Sequence, residues 1–67
     1  MISVTINGTQ RTFDKPPSIA ELIRQMELAG KRIAIERNGE IVPRSQFDRQ
    51  LLAGGDRLEI VVAVGGG

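Results

Sequence analysis

The sequence predicts an α+β fold: a mixed sheet of about five strands, with one main helix on one face and a short second helix or 3₁₀ turn. Three observations carry this. Alternating apolar residues mark strands at both ends of the chain, two Asn-Gly pairs mark hairpin turns, and one capped amphipathic segment lies between them. A helix can bury its apolar stripe against the apolar face of a sheet, which gives a two-layer domain.

Ile2, Val4 and Ile6 alternate with Ser3 and Thr5, the period of a half-buried strand. Asn7-Gly8 follows, and both residues tolerate the positive φ of a type I′ turn. Thr9 to Phe13 is the returning strand. Pro16 and Pro17 lack N–H donors and end it. Ser18 with Glu21 three residues on forms a capping box. Ile19, Leu22, Ile23 and Met26 then share one helical face, which predicts a helix over about Ile19 to Ala29 with Gly30 as its left-handed stop.

Ile33 to Glu36 is the third strand, and Asn38-Gly39 turns it into a short fourth at Ile41-Val42, stopped by Pro43. Arg44 to Leu52 carries Phe47, Leu51 and Leu52 at helical spacing, so a short helix or 3₁₀ turn is expected there. The leucines and isoleucines are assigned to the core. Gly54-Gly55-Asp56 is turn chemistry. Arg57 to Val64 is the last strand, with Leu58, Ile60, Val62 and Val64 on one face. The first and last strands are the most apolar, which suits adjacent central positions. Residues 1–64 thus read as a single domain and 65–67 as a flexible glycine tail.

Composition narrows the function. At 67 residues the chain supplies one thin core. It has no Cys and no His, so it can hold no disulfide, no thiolate metal site and no Ser-His or Cys-His pair. No metal and no bound cofactor are expected, and an independent enzyme is not. The net charge is +1 and the only aromatics are Phe13 and Phe47, which gives no case for nucleic acid. Met1 leads straight into a strand without a signal-peptide pattern, and the longest apolar run, Ile60 to Val64, is far short of a membrane span. A soluble cytoplasmic protein is expected.

The second half resembles the ThiS family, the sulfur carriers of thiamine biosynthesis. The resemblance rests on Asn38-Gly39-Glu40-Ile41-Val42-Pro43-Arg44, on Gly55-Asp56 before an apolar last strand, and on the terminal Gly66-Gly67. Gly65, a third glycine before that pair, departs from the pattern. The resemblance implies a ubiquitin-like β-grasp fold, with the first and last strands parallel. It also implies that an ATP-using, ubiquitin-activating-like adenylyltransferase adenylates the carboxylate of Gly67. A persulfide sulfur donor then displaces AMP, and a thiazole synthase takes the sulfur of the resulting thiocarboxylate into the thiazole of thiamine. The chain would be a protein co-substrate.

The residues suit that task. A glycine end has no Cβ to block a narrow channel or shield its carbonyl. Three extended residues, Gly65 to Gly67, reach about 10 Å at most. A docking surface is expected on the sheet face away from the helix, where Val61 and Ala63 would join Ala34 in a small apolar patch. Pro43-Arg44 reads first as a strand stop and a solvated charge; Arg44 is nonetheless the charged residue to test first at an interface, because it lies inside the signature. Asn7-Gly8 and Asn38-Gly39 are structural turns. Gly54-Gly55-Asp56 lacks the following Lys and helix of a phosphate loop. Two other readings stay open at this stage: a sulfur carrier for another pathway, such as the molybdopterin small-subunit type, and a ubiquitin-like modifier or interaction domain.

Overall fold

The computed structural model describes residues 1–63; the expected strand end at Val64 and the Gly65–Gly67 tail lie outside the described residues. Strands β1 (Ile2–Ile6) and β2 (Thr9–Phe13) form the first hairpin, in register from Ile2 opposite Phe13 to Ile6 opposite Thr9. Its turn uses Asn7 at φ 50° and Gly8 at φ 83°, as a type I′ turn requires. Strands β3 (Ile33–Arg37) and β4 (Glu40–Ile41) repeat the device with Asn38 at φ 52° and Gly39 at φ 87°. Strand β5 (Arg57–Val62) closes the sheet.

The spatial order is β2-β1-β5-β3-β4. The two most apolar strands, β1 and β5, are neighbours and run parallel, and β3 lies antiparallel on the other side of β5. Helix α1 (Ile19–Gln25) covers one face. This is the β-grasp arrangement. Among the described residues no helix is long and apolar enough to cross a membrane.

The start of α1 follows from its capping box. Ser18 Oγ accepts from the Glu21 N–H and Glu21 Oε1 accepts from the Ser18 N–H, both at 3.1 Å. The Ser18 backbone N–H, followed by its hydroxyl, holds the Glu21 carboxyl below its usual value, with a smaller contribution from Arg24. The next donors are covered from a distant part of the chain. Ile19 N–H donates to Gln50 O at 3.0 Å and Ala20 N–H to Phe47 O at 2.9 Å. The stretch expected as a short helix or 3₁₀ turn is a 3₁₀ turn at Arg44–Gln46, and the turn that continues it serves as a lid over the helix N-terminus.

The helix ends earlier than Ala29. Glu27 N–H donates to Arg24 O at 3.0 Å and Leu28 N–H to Ile23 O at 2.9 Å, with Glu27 at φ 60°. This is a Schellman ending with Glu27, not Gly30, in the left-handed position. The physical reason is Leu28. It packs against the core that Ile23 belongs to, which turns the chain toward β3. Gly30, at φ 84°, serves the loop that follows.

The core joins Val4, Ile6, Leu58 and Ile60 of the central strands to Ile19, Leu22 and Ile23 of α1 and Ile35 of β3. Leu52 closes it at one end, as expected, and Phe47 joins it there. Leu51 and Ile41 do not: they are 58% and 76% exposed. Leu51 lies in an isolated bridge beside Ser18. Ile41 stands opposite Glu36, which puts it on the open face of the sheet, and the next residue, Val42, turns inward instead.

Candidate functional site

Strand β5 leads to the expected reactive end, and two asparagines fasten it from opposite sides. On the β1 side, Asn7 N–H donates to Leu58 O at 2.9 Å. Its side chain then continues where β1 turns away. Oδ1 accepts from the Ile60 N–H at 2.7 Å and Nδ2 donates to Ile60 O at 3.1 Å. The carboxamide thus replaces a missing peptide of the ladder. On the β3 side, Asn38 N–H donates to Arg57 O at 2.8 Å, and Asn38 Oδ1 accepts from the Arg57 N–H at 3.0 Å.

Asn38 also connects to Asp56. Its Nδ2 donates to Asp56 Oδ1 at 3.0 Å, while Asp56 Oδ2 accepts from the Ala53 N–H at 2.9 Å and pairs with Arg37 Nη2 at 2.7 Å. Asp56 is buried. Burial pushes its carboxyl up, but the Ala53 N–H, the Asn38 carboxamide and the Arg37 guanidinium together outweigh this and hold it below the usual carboxylate value. The Asn38 and Asp56 of the two motifs therefore form one clasp at the start of β5.

On the face of the sheet away from α1, Ala34 is the direct partner of Val61. Val61 is 62% exposed, and Ala63, whose N–H donates to Arg32 O at 2.9 Å, is exposed just beyond it. The register thus brings Ala34, Val61 and Ala63 to one small apolar surface at the end where the chain leaves β5. The next exposed pair on this face is Glu36 opposite Glu59, two like charges that disfavour each other. Arg57 lines the same shallow hollow as these two carboxylates.

Arg44 is not part of this surface. It lies on the α1 side, where its Nη2 reaches Lys31 O at 3.5 Å. There it lines a hollow of about 490 Å³ between α1, the loop after it and the 3₁₀ turn. Arg24 and Lys31 line the same hollow. Nothing in the sequence singled out these two, since their meeting with Arg44 depends on the tertiary fold. Arg37 did carry a signal: it follows Ile33 and Ile35 on the inward positions of β3, where a cation needs a partner. Among the described residues no three His, Cys, Asp or Glu side chains are grouped to hold a metal ion.

With this geometry in hand, comparison with known proteins is informative. The model of the ThiS family matches residues 4–67. A thiazole synthase of Paramagnetospirillum magneticum (strain ATCC 700264 / AMB-1) is 36% identical over 66 residues, which is 98% of this chain but only 20% of that relative. The uncharacterized protein ycf40 of Pyropia yezoensis is 35% identical over 66 residues, 98% of this chain and 93% of that one. The crystal structure of the thiamine biosynthesis protein ThiS of Geobacter metallireducens superposes with a TM-score of 0.81 at 30% identity, covering 98% of this chain and 100% of that one. The solution structure of a thiamine biosynthesis protein from the same organism gives a TM-score of 0.79 at 30% identity, over 98% of this chain and 88% of that one.

Proposed function

The chain belongs to the ThiS family, and from that premise we propose that it is a sulfur carrier whose working group is the C-terminal carboxylate of Gly67. The observation that carries the reading is the family match, which runs to Gly67. The likeness to the Geobacter metallireducens ThiS structure supports it along nearly the whole chain.

A carboxylate is a poor electrophile. In the proposed reaction, an oxygen of the Gly67 carboxylate attacks the α-phosphorus of ATP in the active site of an adenylyltransferase, and pyrophosphate leaves. The terminal sulfur of a persulfide attacks the acyl carbon of the adenylate and AMP leaves. A thiol then cleaves the resulting acyl disulfide and frees the thiocarboxylate. The carrier supplies the acyl group, and the catalytic groups and ATP belong to the enzyme. The chain has neither Cys nor His, so no side chain of its own competes for the sulfur.

The thiocarboxylate then donates its sulfur to a thiazole synthase. The match to a segment of a thiazole synthase chain supports this acceptor over one of molybdopterin type. Docking uses the Ala34, Val61 and Ala63 surface, which adjoins the exit from β5. The anchoring of β5 by Asn7 and Asn38 keeps that exit in a fixed place relative to the surface.

Complementation tests the reading. The chain should relieve the thiamine requirement of a bacterial strain that lacks its own carrier. Deleting Gly67, or adding residues after it, should abolish the rescue while the thermal melting of the domain stays unchanged. Rescue by the chain lacking Gly67 would overturn it.

A further inference from the structure

We propose that the hollow between α1 and the 3₁₀ turn is a second docking site, one that takes an acidic segment with a bulky apolar side chain from the enzyme that activates Gly67. The proposal rests on the sulfur-carrier reading and adds to it a contact on the opposite side of the sheet.

The hollow has an apolar floor and a cationic rim. Ile23, Leu28, Ile33 and Phe47 line it below, and Arg24, Lys31 and Arg44 stand around it, all three exposed. Only one acid, Asp48, lies among them. The sole ion pair among the described residues is Arg37 with Asp56, so none of the three rim cations is paired within the domain. Glu21 feels the field of Arg24 without forming an ion pair. A third of the chain's nine basic residues thus gather at one apolar hollow.

The chemistry selects the occupant. The charged groups at the hollow are exposed, the rim cations on long side chains, and are not buried groups fixed in place as a small-ligand site uses. Stacking on nucleic acid bases is excluded at this place, because its one aromatic, Phe47, is buried. An apolar floor ringed by cations fits a protein segment with an apolar anchor and carboxylates beside it.

The position selects the partner. Ile33 of the floor is the direct partner of Val62, and Arg32, next to Lys31, accepts from the Ala63 N–H. The hollow therefore opens at the end of the sheet from which the chain leaves β5. An enzyme that receives this end meets the Ala34–Val61 surface on one side and the cationic hollow on the other. The open face carries Glu36 and Glu59, and the hollow carries Arg24, Lys31 and Arg44. A partner with the complementary pair of signs can engage in only one orientation, which fixes where the end of the chain enters.

Steady-state conversion of the carrier to its thiocarboxylate by the cognate activating enzyme, with ATP and a persulfide donor, tests this. The double variant Lys31→Glu/Arg44→Glu should melt like the wild type and raise KM for the carrier about ten-fold, with kcat changed less than about two-fold. Raising salt should increase KM for the wild type and lower it for the charge-reversed variant, whose attraction to the acidic segment has become repulsion. The neutral variant Lys31→Gln/Arg44→Gln should lie between them. A folded double variant with the wild-type KM and salt dependence overturns the proposal while leaving the carrier reading intact. A wild-type chain that is not converted at all overturns the carrier reading and this proposal with it.

Discussion

The carboxamide of Asn7 pairs with both backbone groups of Ile60, accepting from its N–H at 2.7 Å and donating to its carbonyl at 3.1 Å. A turn residue thereby holds a strand 53 positions away, and β5 keeps a partner past the point where β1 bends off. The backbone conformation and the side chain of Asn7 can be separated by substitution. Asn7→Gly keeps the positive φ and removes the carboxamide, leaving two groups of Ile60 without partners. It should cost about 1–2 kcal/mol in urea unfolding and speed hydrogen exchange at the Ile60 amide. Asn7→Asp keeps the acceptor but sets a carboxylate against Ile60 O. It should be less stable than wild type at neutral pH and recover part of the loss when the carboxyl is protonated.

The Asp56 clasp predicts the acid response. An unfolded aspartate titrates near about pH 3.9, and in the folded domain Asp56 titrates lower. Between the two values the unfolded chain binds more protons, so stability rises with pH there. The contribution of the clasp is complete above about pH 5 and is lost as pH falls through the folded value. Asp56→Asn removes the ion pair with Arg37 and should cost about 2 kcal/mol at neutral pH, with a flatter loss of stability in acid. Chemical unfolding of both proteins across this pH range checks the sign and the size.

Glu27 is strained. A residue with a Cβ at φ 60° costs roughly 1–2 kcal/mol relative to the right-handed region, and Gly avoids this at a smaller entropic cost. Glu27→Gly should therefore stabilise the domain by about 0.5–1 kcal/mol, visible as a raised urea midpoint with an unchanged m-value. A destabilised Glu27→Gly would mean that the Glu27 side chain has a role in the turn beyond its backbone.

The sheet face gives a prediction about binding. Val61 is exposed, so Val61→Asp should leave the melting temperature within a few degrees while raising KM for the carrier in the activation assay about ten-fold. Thr12→Asp adds the same charge at an exposed position of the edge strand β2, away from the apolar row, so it serves as the matched control and should change neither quantity.

Much of this was visible in the sequence because the signals are local. Ser18 and Glu21 cap the helix through their own neighbours, and each Asn-Gly pair makes its turn without help. What the sequence hid depends on distant contacts. Gly30 was the residue best suited to end the helix, yet Leu28 finds the core first and forces the stop onto Glu27. Leu51 and Ile41 are apolar without being buried, because a short apolar run does not say which of its members turns inward. The two asparagines were legible as turn residues only, since their second task is to bind β5, far along the chain. The apolar patch was legible because β5 alternates regularly, which left Val61 outward once Leu58 and Ile60 were assigned to the core. The cationic hollow was not, because Arg24, Lys31 and Arg44 come from three separate segments.

The central claim concerns Gly67, and the mass of the intact chain tests it most directly. Protein with a native C-terminus is incubated with the cognate activating enzyme, ATP and a persulfide donor, beside a control without ATP. The account predicts an ATP-dependent gain equal to the difference between one sulfur and one oxygen, located by fragmentation at Gly67. An unchanged mass, or sulfur found anywhere else in the chain, would contradict it.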